Sequence, residues 1–264
     1  MKNRFTILFL ILSISILFST ENIFAEISEP ILITISPAME DVIFDGKWTF
    51  LTEWKPTSLT TTSFDNSQIF LRTAHFENFI YVFVDPVDDL SLDEKMDEAT
   101  ICFDGKNNKG EIHDTDDFCF SVLLGDNIGS TFNGNLIDED TMSMQKISNH
   151  DDFIAISTAS DENDRYSKNP HPSYEFKIPI ELFDRSDNYG FYLSVYDASS
   201  DRFYTWPENS TQENSSEFPS PSKWGDIVSP DKSLPELNLP IMVFTVLIFT
   251  IILAQSRARI GIFR

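Results

Sequence analysis

Cys102 and Cys119 are the only two cysteines in the 264-residue chain, and they bracket one acidic loop within ICFDGKNNKGEIHDTDDFCF, residues 101–120. With two cysteines there is one possible pairing. The short apolar runs carrying them read as antiparallel strands, across which facing Cβ atoms suit a disulfide. A zinc site lacks partners, since no CxxC spacing is present. The loop between them is rich in oxygen donors. Calcium takes six to eight oxygens from carboxylates, amides and backbone carbonyls at closely spaced positions. Asp104, Asn108, Asp114, Asp116 and Asp117 supply them, and Gly105 and Gly110 permit the turns that would make them converge. The spacing is not that of an EF-hand. The alternative is a solvated acidic turn. A second acidic run, residues 85–98, offers Asp85, Asp88 and Asp89, again with solvated charges as the alternative.

Aromatic residues suggest a different chemistry. Sugars lay an apolar face on Trp or Tyr rings while polar side chains bind their hydroxyls. Of the four tryptophans, Trp48 and Trp54 flank a turn near the start and read as core or sheet-edge residues. Trp206 and Trp224, with Tyr204, fall in a late, loop-like region where an exposed platform is easier to build. Catalysis has no comparable signal. GxSxG, HExxH, CxxC and a phosphate-cradling glycine loop are all missing from the sequence. Carboxylates are too abundant for a paired-acid mechanism to be informative. The four histidines, His75, His113, His150 and His171, share no metal-ligand spacing.

The ends of the chain set the compartment. Lys2 and Arg4 precede an almost uninterrupted apolar run over residues 5–19, and Ala25 offers a cleavage point, so residues 1–25 read as a secretory signal peptide. Residues 239–256 form a charge-free stretch long enough to span a bilayer, followed by a basic tail over 257–264. Basic flanks stay on the cytoplasmic side, which predicts a single-pass cell-membrane protein with its domain outside. Lys2, Arg4 and Glu21 lie in the first segment, and Arg257, Arg259 and Arg264 in the last. Without them 14 basic and 41 acidic side chains remain, about −27 for residues 26–240. Such a field repels phosphate backbones and excludes nucleic acid as a partner. A secreted domain can also hold the disulfide.

Between these segments strand signals dominate. Residues 31–36, 68–76, 78–85, 99–104, 117–124, 153–159, 174–178 and 189–197 are short β-rich runs separated by Gly, Asn and Asp turns. The run at 78–85 alternates aromatic with aliphatic residues, so both its faces are expected to be covered. Pro179 can open a single helical turn. The fold class predicted is all-β: an antiparallel, jelly-roll-like β-sandwich over residues 26–228, with a C-terminal transmembrane helix. Residues 207–221 are rich in Glu, Ser, Asn and Pro and carry glycosylation acceptor patterns at Asn209 and Asn214. Residues 229–238 read as a spacer.

One ordered set of short motifs resembles a known family. Phe44-Asp45-Gly46-Lys47-Trp48 followed by Glu53-Trp54 is similar to the opening of the family 9 carbohydrate-binding modules and their DOMON-like relatives. The strand ending in Asp85, the Asp104 loop leading to Asp116-Asp117-Phe118, the Tyr174-Glu175…Ile178-Pro179 strand and the Asp197 strand before Trp206 follow in that family's order. The resemblance spans roughly residues 40–226. It implies a non-catalytic β-sandwich, often calcium-containing, that binds a glycan, here an environmental or cell-envelope polysaccharide. Leu234-Pro235-Glu236-Leu237 resembles archaeal sortase-type sorting tails of the PEF kind, with Leu237 in place of phenylalanine. Two alternatives stay open. One is a structural calcium-binding surface protein without a sugar ligand. The other is a haem-carrying electron-transfer sandwich, needing Met96 or Met142 with His75 or His171 as axial ligands.

Overall fold

Residues 31–33 alternate buried, exposed and buried, and the short run 31–35 joins two sheets. In the computed structural model, which describes residues 29–65, 67–134, 144–208, 210 and 218–233, β1 (Ile31–Leu32) lies on one sheet and β2 (Thr34–Ile35) on the other. Ile31 and Ile33 point inward while Leu32 is half exposed, so the chain turns the corner of the sandwich without leaving the core. The expected signal peptide, transmembrane helix, basic tail, sorting-type tail, Asn209 and Asn214 lie outside the described residues. Among the described residues, no helix is long and apolar enough to cross a membrane.

The first sheet runs β1, β14 (Gly225–Val228), β12 (Asn188–Asp197), β6 (Glu98–Asp104), β7 (Asp117–Leu123), β8 (Ser130–Asn133), β9 (Gln145–Ile147), with β13 (Arg202–Trp206) also paired to β12. The second runs β10 (Ile154–Ala159), β11 (Pro172–Pro179), β5 (Phe79–Pro86), β4 (Ser67–Phe76), β2, with β3 (Ser58–Phe64) also on β4. The architecture is all-β, as expected, but not wholly antiparallel. β1 runs parallel to β14 and β2 parallel to β4. Both exceptions come from the two-residue strands of the corner-turning segment.

One core draws on both sheets. Ile69, Leu71, Ile80, Val82, Val84, Phe176 and Ile178 meet Ile101, Phe103, Phe120, Phe191, Leu193 and Val195. The covered outer face of β5 is equally clear. Tyr81 and Phe83 point away from the main core into a second cluster with Met39, Trp48 and Trp54, so the aromatic alternation of this strand serves two cores.

The motifs of the N-terminal segment build that second cluster. Gly46 has φ +86°, and a Cβ there would stand 2.6 Å from backbone atoms of Ser157 and Thr158, so only glycine lets the turn sit against β10. Glu175, fully buried on β11, accepts the Asp45 and Gly46 amides through Oε2 at 3.0 and 2.8 Å and the Trp54 indole N–H through Oε1 at 2.9 Å. Glu53 braces the same segment by accepting the Ile43 and Thr49 amides at 2.9 and 2.7 Å. Trp54 then stacks on Phe83 at 5.4 Å, and Trp48 meets the same ring edge-on at 5.9 Å. The DGxW, EW and YE motifs thus form one buried clasp.

Candidate functional site

Cys102 and Cys119 are paired in register on β6 and β7, with Cα atoms 4.0 Å apart, and are joined by a disulfide. Both are fully buried on the outer face of the first sheet under Tyr192 and Trp224. The acidic loop stands at the end of this hairpin. Of the five expected ligands it brings three together: single oxygens of Asp104, Asp116 and Asp117 lie within 4.8 Å of one another. Asp114 is not part of that group; its Oδ2 accepts from Asn108 Nδ2 at 2.9 Å.

Much of the loop's oxygen is spent bracing its own backbone. Asp104 accepts the Asn108 and Lys109 amides, Asp116 the Lys106 amide, Asp117 the Asp114 amide and Asp114 the Asp116 amide. Lys106 Nζ also stands 2.5 Å from Asp116 Oδ1. Asp117 Oδ1 alone of the carboxylate oxygens in this loop is buried without a partner. Burial, with Asp104, Asp114 and Asp116 nearby, pushes the Asp117 carboxyl up to about 8.

The aromatic residues expected to form an exposed platform do not form one. Trp206 is 8 % exposed and Trp224 4 %. Trp206 lies on β13 opposite Leu193, its ring 5.9 Å from Phe191 and pressed against Gly225, where any Cβ would overlap it. Trp224 stacks over Tyr192 at 6.4 Å and donates its indole N–H to Pro219 O at 2.8 Å. Tyr204, half-buried, packs its ring on Phe64 at 5.2 Å at the core's edge. The segment that composition marks as a loop contributes a strand. Its alternation turns Tyr204 and Trp206 inward, a matter of pairing register.

The same register turns Phe203 outward. Phe203 faces Tyr196 across the β12–β13 pair, with ring centroids 4.6 Å apart and both rings half-buried. Tyr196 donates to Asp201 Oδ1 at 2.9 Å, and Arg202 beside it is exposed. The row continues across the sheet through Glu98 and Leu123. The next row is a line of hydroxyls on the same face: Thr205, Ser194, Thr100, Ser121 and Ser130, one from each of five neighbouring strands. Burial pushes the Glu98 carboxyl up, against a hydrogen bond with Ser121. These residues were not anticipated. The signal available was the tight YDASSDRF turn with an aromatic on either side.

The histidines are engaged in hydrogen bonds. His171, fully buried, places Nε2 2.6 Å from Asp85 Oδ1, and Nδ1 2.7 Å from Asn169 O and 2.9 Å from Ser160 Oγ. His75 Nε2 lies 2.9 Å from Ser229 Oγ. Met96 is 58 % exposed, and Met142 lies outside the described residues.

Burial pushes Asp85 up to about 7, against the opposing pull of His171. Burial disfavours charge on His171 too, but the Asp85 hydrogen bond and charge outweigh it and hold the imidazole above its usual range. Wherever the shared proton sits, the folded pair binds protons more tightly than the unfolded chain does. Its stabilisation is therefore complete at acid pH and is lost as pH rises from about 4, through the ordinary histidine range, to beyond about 7. Carboxyls held low, such as Asp161 and Asp231, act only below the ordinary carboxylate range. Urea denaturation in chelator is expected to show stability falling between pH 5 and pH 8, by about 1 kcal/mol or more, with a flatter profile when both groups are removed together in Asp85→Asn, His171→Gln. His171→Gln alone leaves the buried Asp85 carboxyl without the partner that opposes its upward shift. A rise across that window would contradict the assignment.

No family model matches the chain, and no curated protein matches it. Solved structures do. A family 9 carbohydrate-binding module from Caldicellulosiruptor kristjanssonii in complex with cellotriose aligns with a TM-score of 0.51 at 15 % identity, over 76 % of this chain and 93 % of that one. A glucose complex of a family 9 module from the same organism aligns at 0.50 and 13 % identity, over 76 % and 95 %. The fold is therefore that of these modules, as the ordered motifs implied.

Proposed function

We propose that this domain is a non-catalytic carbohydrate-binding domain that meets its glycan on the outer face of the first sheet. The observation that carries the reading is the partly exposed Tyr196–Phe203 pair beside Glu98, Asp201 and Arg202. Half-exposed rings offer the apolar face that a pyranose stacks on, and the flanking charged groups suit its hydroxyls. The fold likeness to modules solved with cellotriose and glucose supports the same class of ligand.

In this reading the domain is displayed outside the cell, exported by residues 1–25 and held by a helix over 239–256. Calcium at Asp104, Asp116 and Asp117 would stabilise the β6–β7 loop rather than contact the glycan, with Asn108 and Asp114 bracing it. The unpartnered Asp117 oxygen supports an ion there. Any partner is a soluble or envelope polysaccharide.

Affinity gel electrophoresis of the full chain against soluble β-glucans and envelope polysaccharides tests this. Retardation is expected for at least one glycan, and Tyr196→Ala or Phe203→Ala should weaken it by about tenfold or more, some 1.4 kcal/mol. Absence of retention on every glycan would favour a purely structural surface domain. Retention unaffected by either substitution would place the site elsewhere.

A further inference from the structure

Three groups of metal-ligating side chains gather among the described residues, each with its ligand atoms within 4.8 Å of one another. Asp89, Asp97 and Asp197 offer only oxygen, as do Asp104, Asp116 and Asp117. The third group, Asp85, Asp164 and His171, adds an imidazole nitrogen. Asp85 belongs to β5 of the second sheet, and Asp164 and His171 to the loop between β10 and β11. The three residues are 0, 1 and 0 % exposed.

His171 is held as a metal ligand would be. Its Nδ1 stands 2.7 Å from the Asn169 carbonyl oxygen, which can only accept, so Nδ1 carries a proton. In the neutral ring the Nε2 lone pair is then turned to Asp85. Metal-bound histidines use the same arrangement, one nitrogen on the ion and the other donating to a carbonyl or carboxylate. Asp164 turns Oδ1 to its own loop, accepting the Tyr166 and Ser167 amides at 2.7 and 2.8 Å. Its Oδ2 is buried without a partner, and so is Asp85 Oδ2. The Asp164 charge favours protonation of Asp85 and His171 alike. Among the described residues no lysine or arginine side chain pairs with either carboxylate, and Lys168 is turned to the Glu162 and Asp164 carbonyls instead. With both carboxylates ionised the group stays negative even when the ring is protonated. Buried charge of this kind persists when it is paired or holds a metal.

From this geometry we infer a zinc-class metal site formed by Asp85, Asp164 and His171, with Oδ2 of each carboxylate and the imidazole Nε2 as donors. Imidazole suits zinc and its transition-metal neighbours, whereas calcium takes oxygens alone. Ligands at about 2.0–2.2 Å from one zinc stand about 3.4 Å apart in a tetrahedron, so modest side-chain shifts complete the site. Three protein ligands leave the fourth position to water. The ion would pin the 160–171 loop to β5. That loop carries Tyr166, stacked on Phe70 at 3.8 Å and edge-on to Trp48 at 6.0 Å, and Asp161, paired with Lys47 at 2.5 Å. The metal would thus fasten the loop over the N-terminal clasp, wherever a glycan binds.

The test is zinc titration of the full chain in detergent, stripped with chelator and then held in about 0.15 M KCl with about 1 mM calcium to fill oxygen-only sites. Equilibrium dialysis with metal analysis is expected to show one saturable zinc per chain, and zinc should raise the melting temperature. Asp164→Asn keeps the Oδ1 acceptor, and its amide can donate to Asp85, so the fold should survive. Zinc should nevertheless bind at least about tenfold more weakly, and the rise in melting temperature should disappear. His150→Gln, at the separate His150–Glu181 pair, should change neither readout. No saturable zinc, or equal affinity in Asp164→Asn, would overturn the site and leave only a proton shared between Asp85 and His171. Should Asp164→Asn misfold, X-ray absorption of the zinc-loaded chain decides. One imidazole nitrogen among oxygens at about 2.0–2.2 Å supports the site, and no imidazole or more than one refutes it.

Discussion

Replacing Glu175 with alanine is expected to cost about 3–5 kcal/mol of stability and to lower the melting temperature by on the order of 10 °C. Three N–H groups, from Asp45, Gly46 and the Trp54 indole, donate to this one carboxylate, and all would lose their acceptor together. Each unsatisfied buried donor costs roughly 1–3 kcal/mol, reduced where water can enter. Glutamine does not substitute well. Its single carbonyl can serve the two amides, but its NH₂ then faces the indole N–H, donor against donor. Glu175→Gln should therefore cost about 1–3 kcal/mol. The loss should also be local. Limited proteolysis of Glu175→Ala is expected to cut first within residues 42–57, the segment the carboxylate holds. A loss below about 1 kcal/mol, or cleavage starting elsewhere, would show that the clasp is held mainly by the Trp48 and Trp54 rings.

Trp206→Ala separates a packing role from a binding role. The ring is buried between Phe191 and Gly225 on a strand paired to β12, so its removal leaves a large cavity in the main core. Large-to-small changes of this kind cost about 3–5 kcal/mol. The melting temperature should fall by several degrees to about 20 °C. Well below the new midpoint, glycan retention should stay within about twofold of the unsubstituted chain. A variant that keeps its stability but loses retention would return Trp206 to the role its loop-like surroundings suggested.

The two tryptophan pairs show how far local sequence reaches. Trp48 and Trp54 were legible as core or sheet-edge residues because they flank a short turn near the start of the domain. Trp206 lies in a composition that reads as loop, and nothing within five residues of it records that Leu193 will be its partner. The β3 strand was missed for a related reason. Its SLTTTSF sequence is polar at five of seven positions with no apolar alternation, and it becomes a strand by pairing with β4. Glu175 carried a signal that could have been used: a carboxylate between Tyr174 and Phe176, in a strand buried on both faces, must find buried donors.

The acidic loops divide in the same way. That Asp104, Asp116 and Asp117 would gather followed from the short hairpin between the cysteines, a local matter. That Asp89, Asp97 and Asp197 would gather did not, because Asp197 comes from the β12–β13 turn about a hundred residues away.

The sequence by itself determined the all-β class, seven of the longer strands, the single disulfide and the motifs of the N-terminal clasp. The first three rest on periodicity, turn chemistry or the uniqueness of a pairing, and the clasp motifs on their resemblance to a known family's opening. The tertiary structure alone decided which aromatic rings face solvent and which carboxylates share a site. The physical reason is register: shifting a strand pairing by one residue exchanges its two faces. Whether Phe203 or Tyr204 meets the water was settled by how β13 lies on β12.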